Sequence, residues 1–247
     1  MMSSELLRAA YRIRFLVFHP VKSFTYLFSN RKDYSKIDIS EIDIYMSKPR
    51  VILEAGAADG VDTYIFSKTY PDAKVYGIEP VMEQYEFLKR KFSDSKNVNI
   101  SNFALAEKNG VGTINIGKNA ESLSGMGSSS LMQPTKHMKY FPEISFETKQ
   151  EITLITLDDF AKSFSLPCID LLWLDLQGKE LDVLVGSSEF FRKSVLLLHL
   201  EISRIKFYDE MPTIRDVRNF LKKSGFVLLI DRVGAISGNA LYINSRF

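Results

Sequence analysis

One cysteine and three histidines in 247 residues leave little room for disulfide or zinc chemistry. Cys168 has no second cysteine with which to close an internal bridge, and one Cys with three His falls short of the usual structural zinc cages. A lone thiol fits a reducing cytoplasm. Net charge is equally scarce. Lys and Arg total 32 against 30 Asp and Glu, a formal +2, so no global field draws nucleic acid or another polyanion. Long apolar runs are missing too. Residues 11–20 are apolar, aromatic and basic together, but too short and too interrupted by Arg12 and Arg14 to cross a bilayer. No small-residue cleavage site follows them. Two readings stand for residues 1–48. One is a helical arm over one side of the domain; the other is an interfacial membrane contact with Arg8, Arg12, Arg14 and Lys22 beneath Phe15, Leu16 and Phe18.

What is present is a core-forming composition, 45% hydrophobic, in a chain sized for one large domain over 49–247. From Val51 onward, short apolar runs alternate with helix-period segments, the pattern of a parallel sheet covered by helices on both faces. Strands are expected at 51–54, 74–79, 98–103, 151–155, 169–175, 195–201, 226–230 and 241–243, with helices near 62–70, 80–92, 178–185 and 213–223. Between 110 and 150 the rhythm breaks: 113–116 read as an extended arm, and 121–130 are rich in serine and glycine. An irregular insertion over 118–150 is expected to be functional or disordered, and a substrate-facing lid is the reading preferred here.

The turn after the first strand, Glu54-Ala55-Gly56-Ala57-Ala58-Asp59-Gly60, sits where open α/β sheets bind ligands. A pyrophosphate needs glycines spaced G-x-G-x-x-G with no adjacent anion. Here Ala58 and Val61 replace the second and third glycines and Asp59 adds a negative charge. These changes disfavour NAD and suit a ligand carrying an ammonium and a sulfonium. Glu79, ending the second strand beside this turn and followed by Pro80, is placed to accept hydrogen bonds from both ribose hydroxyls of an adenosine. Ala104 and Leu105 would then lie against the adenine ring.

Taken in order, residues 51–60, 76–80, 156–160 and 174–184 resemble the FkbM-type methyltransferases, over about residues 50–230 of this chain. The resemblance implies a class I methyltransferase Rossmann-like fold with a seven-stranded, mostly parallel sheet. It also implies S-adenosylmethionine as cofactor and O-methylation of sugars or related hydroxyl groups. By position, Glu54, Gly56, Ala57, Asp59 and Gly60 fall on the family's cofactor loop, Glu79 on its ribose acid, and Asp175 on the acid of its Lys-Ile-Asp-x-Glu-Gly block. Two departures occur there: Trp173 stands where lysine is common and Gln177 where glutamate is common. Trp173 reads equally as packing or as pocket lining.

Methyl transfer to a hydroxyl requires alignment, desolvation and removal of a proton. Asp175 is expected to end the fourth strand and His199 and Glu201 the fifth, converging on one side of the methyl donor. His199 titrates in the right range to be the base, with Glu201 or Asp175 orienting it, although a hydrogen-bonded core histidine reads as well. His137 in the insertion is a further base candidate. No ligand spacing supports a metal, though Asp175 and Glu201 with another oxygen could contribute to one. The acceptor is expected to be a small molecule or glycan. The rival is a non-catalytic Rossmann-like module that binds a nucleoside.

Overall fold

The computed structural model describes residues 36–119 and 127–247. A short helix, α1 (Ile39–Ile42), precedes β1 (Val51–Ala55), α2 (Val61–Thr69), β2 (Lys74–Ile78), α3 (Met82–Lys91) and β3 (Val98–Ser101). A second group follows: β4 (Ala104–Leu105), β5 (Gly110–Asn119), α4 (His137–Tyr140) and β6 (Ile144–Ile155). The chain then continues through α5 (Leu157–Ser163), β7 (Ile169–Leu174), α6 (Glu180–Gly186), α7 (Ser188–Ser194) and β8 (Val195–Ser203). It closes with α8 (Ile214–Lys223), β9 (Phe226–Asp231) and β10 (Ser237–Asn244).

The main sheet has seven strands in the order β3-β2-β1-β7-β8-β10-β9. Only the last strand pairings, those of β10 with β8 and with β9, are antiparallel. Every residue of β1 is buried because helices cover both faces, which is why its sequence, Val-Ile-Leu-Glu-Ala, shows no polar alternation. One face packs Leu53, Leu172 and Leu198 beneath α5 to α8, and the other packs Ile52, Leu171 and Leu197 with Phe66 of α2. Helix starts are fixed locally. The Thr156 hydroxyl accepts from the Asp159 backbone N–H at 3.2 Å, and Thr213 with Asp216 forms a reciprocal capping box at α8. Each such cap is worth about 1 kcal/mol. The order in which strands are laid down puts the first crossover reversal between β1 and β7, so a crevice opens beyond their C-terminal ends.

The region expected to be irregular is largely a second sheet. β5 runs antiparallel to β6 from Gly110 opposite Leu154 to Asn119 opposite Ile144, and β4 pairs β6 on its other edge. The expected strand at 151–155 therefore belongs to this three-stranded sheet, not to the main one. Its expected neighbour at 113–116 is a ten-residue strand rather than a short arm. Residues 120–126, near the start of the anticipated lid, lie outside the described residues, as do the first 35 residues of the arm and all of the residues offered for membrane contact. What is described of the arm is anchored: Arg232 Nη2 lies 2.8 Å from Glu41 Oε1, and the Tyr70 hydroxyl donates to Asp43 Oδ1 at 2.8 Å. Among the described residues no helix is long and apolar enough to cross a membrane.

Candidate active site

The first βα turn is built by three tight constraints. The Gly56 and Ala57 backbone N–H groups both donate to the Ile78 carbonyl at 3.0 Å, which ties the turn to the end of β2. Gly56 has φ +91°, and a Cβ there would meet the Asp175 carbonyl oxygen at 2.0 Å, so only glycine permits the close approach of β1 and β7 at this level. Gly60, with φ +69°, is the N-cap of α2. Beneath the turn Glu54 is buried and accepts a hydrogen bond from the Thr63 hydroxyl. Burial, followed by the charge of Asp62, pushes the Glu54 carboxyl well above the ordinary carboxylate range, the Thr63 hydrogen bond opposing.

Glu79 sits one residue beyond β2, with its two carboxyl oxygens reaching both sides of the crevice. Oε2 accepts from the Ala58 N–H at 2.9 Å and Oε1 from the Val81 N–H at 2.9 Å. Burial pushes this carboxyl up to about 7, and those two backbone hydrogen bonds pull the other way. Ala58 itself adopts φ +46°, which turns its N–H toward Glu79. The crevice encloses about 610 Å3 counted out to its solvent-open side, with Glu79 and Asp175 among its acids and Ile78, Leu105 and Ile114 among its apolar walls.

At the far end of the crevice, carboxylates gather around Gln177. The last matched pair between β7 and β8 is Leu174 with Leu200, so Asp175 and Glu201 emerge side by side on the rim. The Gln177 amide nitrogen lies 2.7 Å from Asp175 Oδ1 and 3.4 Å from Glu201 Oε2 and donates to both. The Tyr208 hydroxyl stands 3.1 Å from Gln177 Oε1 and 2.9 Å from the Ser128 carbonyl, both acceptors. Gln177 holds this position with φ +50°, a left-handed backbone that a non-glycine residue adopts only under local constraint. Burial is the first cause raising the proton affinity of both acids; the charge of Asp175 then raises that of Glu201, while the charge of Asp62 raises that of Asp175 and its hydrogen bonds with Gln177 and Glu201 oppose. Glu180, whose Oε1 accepts from the Leu176 N–H at 2.8 Å, is likewise pushed up to about 7 by burial. A second cavity of about 860 Å3, measured in the same way, opens on the other side of Gln177, which lines both.

Of the residues expected to bind cofactor, the crevice is lined by Gly56, Glu79, Pro80, Ala104, Leu105 and Asp175. Glu54, Ala57, Asp59 and Gly60 instead shape the turn from behind. Asp59 is exposed, and its carboxylate accepts from the Val61 N–H at 3.0 Å at the start of α2. The sequence reading did not single out Ala58 as lining the crevice, whereas the insertion it reads as a lid does return over the crevice at Gly127 and 129–131. There the Ser130 hydroxyl donates to the Gln177 carbonyl at 3.0 Å.

His199 is not on the rim. β8 continues to Ser203, which leaves His199 within the strand, opposite Trp173. Its ring stacks on Trp173 at 3.3 Å and 9°, neither ring nitrogen has a hydrogen-bond partner, and it lines neither cavity. Burial pushes it down to about 3, so it is a neutral core ring. Trp173 is accordingly packing, edge-on to Phe66 at 5.2 Å. His137, in contrast, lines the second cavity. Among the described residues no three His, Cys, Asp or Glu side chains are grouped so as to hold a metal ion.

These features suit a cationic, adenosine-bearing methyl donor. The Gly56 approach leaves no Cβ in the crevice, the apolar walls match a purine, Glu79 offers two acceptors, and at the far end Asp175 is the acid while the lining Lys179 is paired with Asp182. The chain is similar to 2-O-methyltransferase NoeI of Sinorhizobium fredii (strain NBRC 101917 / NGR234), at 25% identity over 219 residues, covering 87% of this chain and 89% of that one. Among solved structures it is similar to the N-terminal domain of EvdMO1 with SAH bound, 12% identical with a TM-score of 0.47, over 99% of this chain and 97% of that chain. It is also similar to a SAM-dependent methyltransferase from Aquifex aeolicus, 13% identical with a TM-score of 0.39, over 99% and 100% of the two chains. The model of the methyltransferase FkbM domain matches residues 54–228. With the greater part of its length matched, the chain belongs to the FkbM methyltransferase family, a class I α/β enzyme whose cofactor is S-adenosylmethionine.

Proposed function

We propose that this methyltransferase acts on a hydroxyl oxygen of a sugar, a glycan or a similar small hydroxylated metabolite, and that Glu201, coupled to Asp175, accepts the hydroxyl proton. The observation that carries this reading is the buried carboxylate pair standing between two cavities, with Gln177 holding both acids at the boundary. S-adenosylmethionine, when bound in the first cavity, supplies an electrophilic methyl group on positively charged sulfur. Glu201 lowers the barrier by removing the acceptor proton as the new O–C bond forms, Asp175 raises Glu201's basicity by its charge, and Gln177 fixes the orientation of both. Of the two acids held by Gln177, Glu201 lines the second cavity while Asp175 lines the first, and on this we assign the base to Glu201 and cofactor contact to Asp175. His199 is given no role because it reaches neither cavity. The similarity to a 2-O-methyltransferase supports a hydroxyl over an amine. The test is transfer of a radiolabelled methyl from S-adenosylmethionine to a panel of sugars and glycosides, with the product located by its methyl ether. A product methylated on nitrogen or carbon would overturn the reading. The reaction is placed in the cytoplasm, in keeping with a single free cysteine.

We assign Glu79 to the cofactor's ribose hydroxyls, and this makes cofactor affinity depend on pH. A carboxyl pushed up to about 7 is partly protonated at neutrality, and hydroxyl donors favour its ionised form. S-adenosylhomocysteine is therefore expected to bind more tightly as pH rises from 6 to 8, by about tenfold, with proton release visible by calorimetry in buffers of different ionisation enthalpy. Without ligand the sign is opposite. The folded carboxyl holds its proton more strongly than the unfolded one, so its contribution to stability is complete below the unfolded value near 4.5 and is lost as pH rises through about 7. Glu79→Gln is expected to remove the affinity slope and Glu79's share of the stability slope, leaving the shares of Glu180 and Glu201. At a ligand concentration about 100-fold above Kd, the wild-type protein gains roughly 2.7 kcal/mol, or about 5–11 °C in a melt. NAD is expected to give no shift. A Glu79→Gln protein that retains the pH slope of affinity would remove Glu79 from the ribose site.

A further inference from the structure

The second cavity is bounded on one side by rings and on the other by acids. His137, Phe141, Phe207 and Tyr208 contribute the rings, and His137 lies 4.9 Å from Phe141 and 5.4 Å from Tyr208, centroid to centroid. Glu143, Glu180 and Glu201 contribute the acids. Among the described residues that line it there is no lysine or arginine. His137 is only 3% exposed, yet its Nδ1 has no hydrogen-bond partner, which leaves a buried polar atom unsatisfied beside the cavity. Buried polar atoms are rarely left in that state, and a ligand hydroxyl is the partner that the location provides. Rings that take the C–H face of a pyranose, facing carboxyl oxygens that accept from its hydroxyls, form the two-sided environment an uncharged sugar needs.

The same acids act against other acceptors. A phosphate or carboxylate entering here would give up its hydration without meeting a cation and would face three acidic groups, a repulsive element that discriminates even where shape does not. We infer that the second cavity is the acceptor site and that it admits an uncharged glycosyl unit while rejecting acceptors that carry phosphate or carboxylate on that unit. This rests on the O-methyltransferase reading given above.

The experiment compares methyl glycosides of common hexoses and 6-deoxyhexoses with the matching hexose 6-phosphates and uronates, at equal concentration, reading S-adenosylhomocysteine formed by the full chain. Neutral glycosides are expected to react with a kcat/KM at least about 100-fold above that of their anionic counterparts. Glu143→Lys, at the exposed mouth of the cavity, is expected to narrow that ratio about tenfold. His137→Phe keeps the ring packing and removes the nitrogen. It is expected to raise KM for the neutral glycoside about tenfold with kcat within about twofold and the melting shift caused by S-adenosylhomocysteine unchanged, a split that loss of packing alone does not produce. Anionic acceptors turning over as fast as neutral ones would overturn this inference while leaving the reaction assignment in place. No turnover of any glycoside by protein that still binds S-adenosylhomocysteine would overturn the reaction assignment and this inference with it.

Discussion

Replacing Gly56 by alanine is expected to abolish S-adenosylhomocysteine binding and to destabilise the fold by roughly 2–6 kcal/mol. Two independent effects add. The backbone at φ +91° is unfavourable for any residue with a Cβ, a strain of about 1–3 kcal/mol. The Cβ would also stand 2.0 Å from the Asp175 carbonyl oxygen, and that oxygen belongs to backbone fixed by the Asp175 N–H donating to Ala55 at 3.0 Å. A flexible side chain would swing away; this carbonyl cannot without parting β1 from β7, and overpacking of that kind costs about 1–3 kcal/mol. The turn and the Asp175 rim both lie on the crevice, so any relief of the clash deforms the cofactor site. The melting temperature is expected to fall by about 5–20 °C. Gly234→Ala serves as the control, because its nearest neighbour would be an ordinary contact at 3.6 Å, and it should change stability by less than about 0.5 kcal/mol. A Gly56→Ala protein with unchanged melting temperature and unchanged affinity would show that this approach is not a constraint on the site.

The features legible in the sequence are those whose cause is local. The turn after β1 advertises itself because a glycine and small residues must stand where strand meets helix, and Glu79 because an acid one residue past an apolar strand can only lie on the rim. The central strands β1, β2, β7 and β8 follow from apolar runs largely buried on both faces. The β5–β6 ribbon was legible only in part, as the extended arm at 113–116 and the strand at 151–155, for the opposite reason. Most of β6 is exposed or half-buried, including Glu147, Lys149 and Glu151, so its residues answer to a partner strand some thirty to forty positions away and not to a core. His199 shows a subtler limit. Alternation correctly puts it on the same strand face as Glu201, but the level at which β7 stops pairing with β8 decides which of the two reaches the crevice. Trp173 opposite His199 closes the lower level, while Asp175 and Glu201 lie beyond the last pair. No single-strand pattern contains that register. Gln177 was visible only as a departure from a family pattern; its role depends on Tyr208 and Ser130, brought from 31 and 47 residues away by the second sheet and the loop after β8.

Glu201→Gln is expected to lower kcat by about 10²- to 10⁴-fold while leaving S-adenosylhomocysteine affinity within about twofold. The change is nearly isosteric, and its side-chain oxygen can still accept from Gln177, so the rim keeps its shape. Burial and the charge of Asp175 disfavour an ionised Glu201, so a neutral amide there does not destabilise the fold for electrostatic reasons, and the variant's melting temperature should equal or exceed that of the wild type. What disappears is the proton acceptor. The pH profile separates this from a loss of alignment. Because burial and Asp175 raise the pair's proton affinity, the wild-type rate should keep climbing above the ordinary carboxylate range near 4–5, into the neutral and alkaline range. In Asp175→Asn the neighbouring charge is gone, Glu201 ionises more readily, and the rising limb should move to lower pH even as the maximal rate falls. A residue that merely positions the acceptor would change the height of the profile in both variants and leave its midpoint in place. A Glu201→Gln enzyme retaining more than about a tenth of wild-type kcat would return the search for the base to the remaining groups that line the second cavity, with His137 first among them.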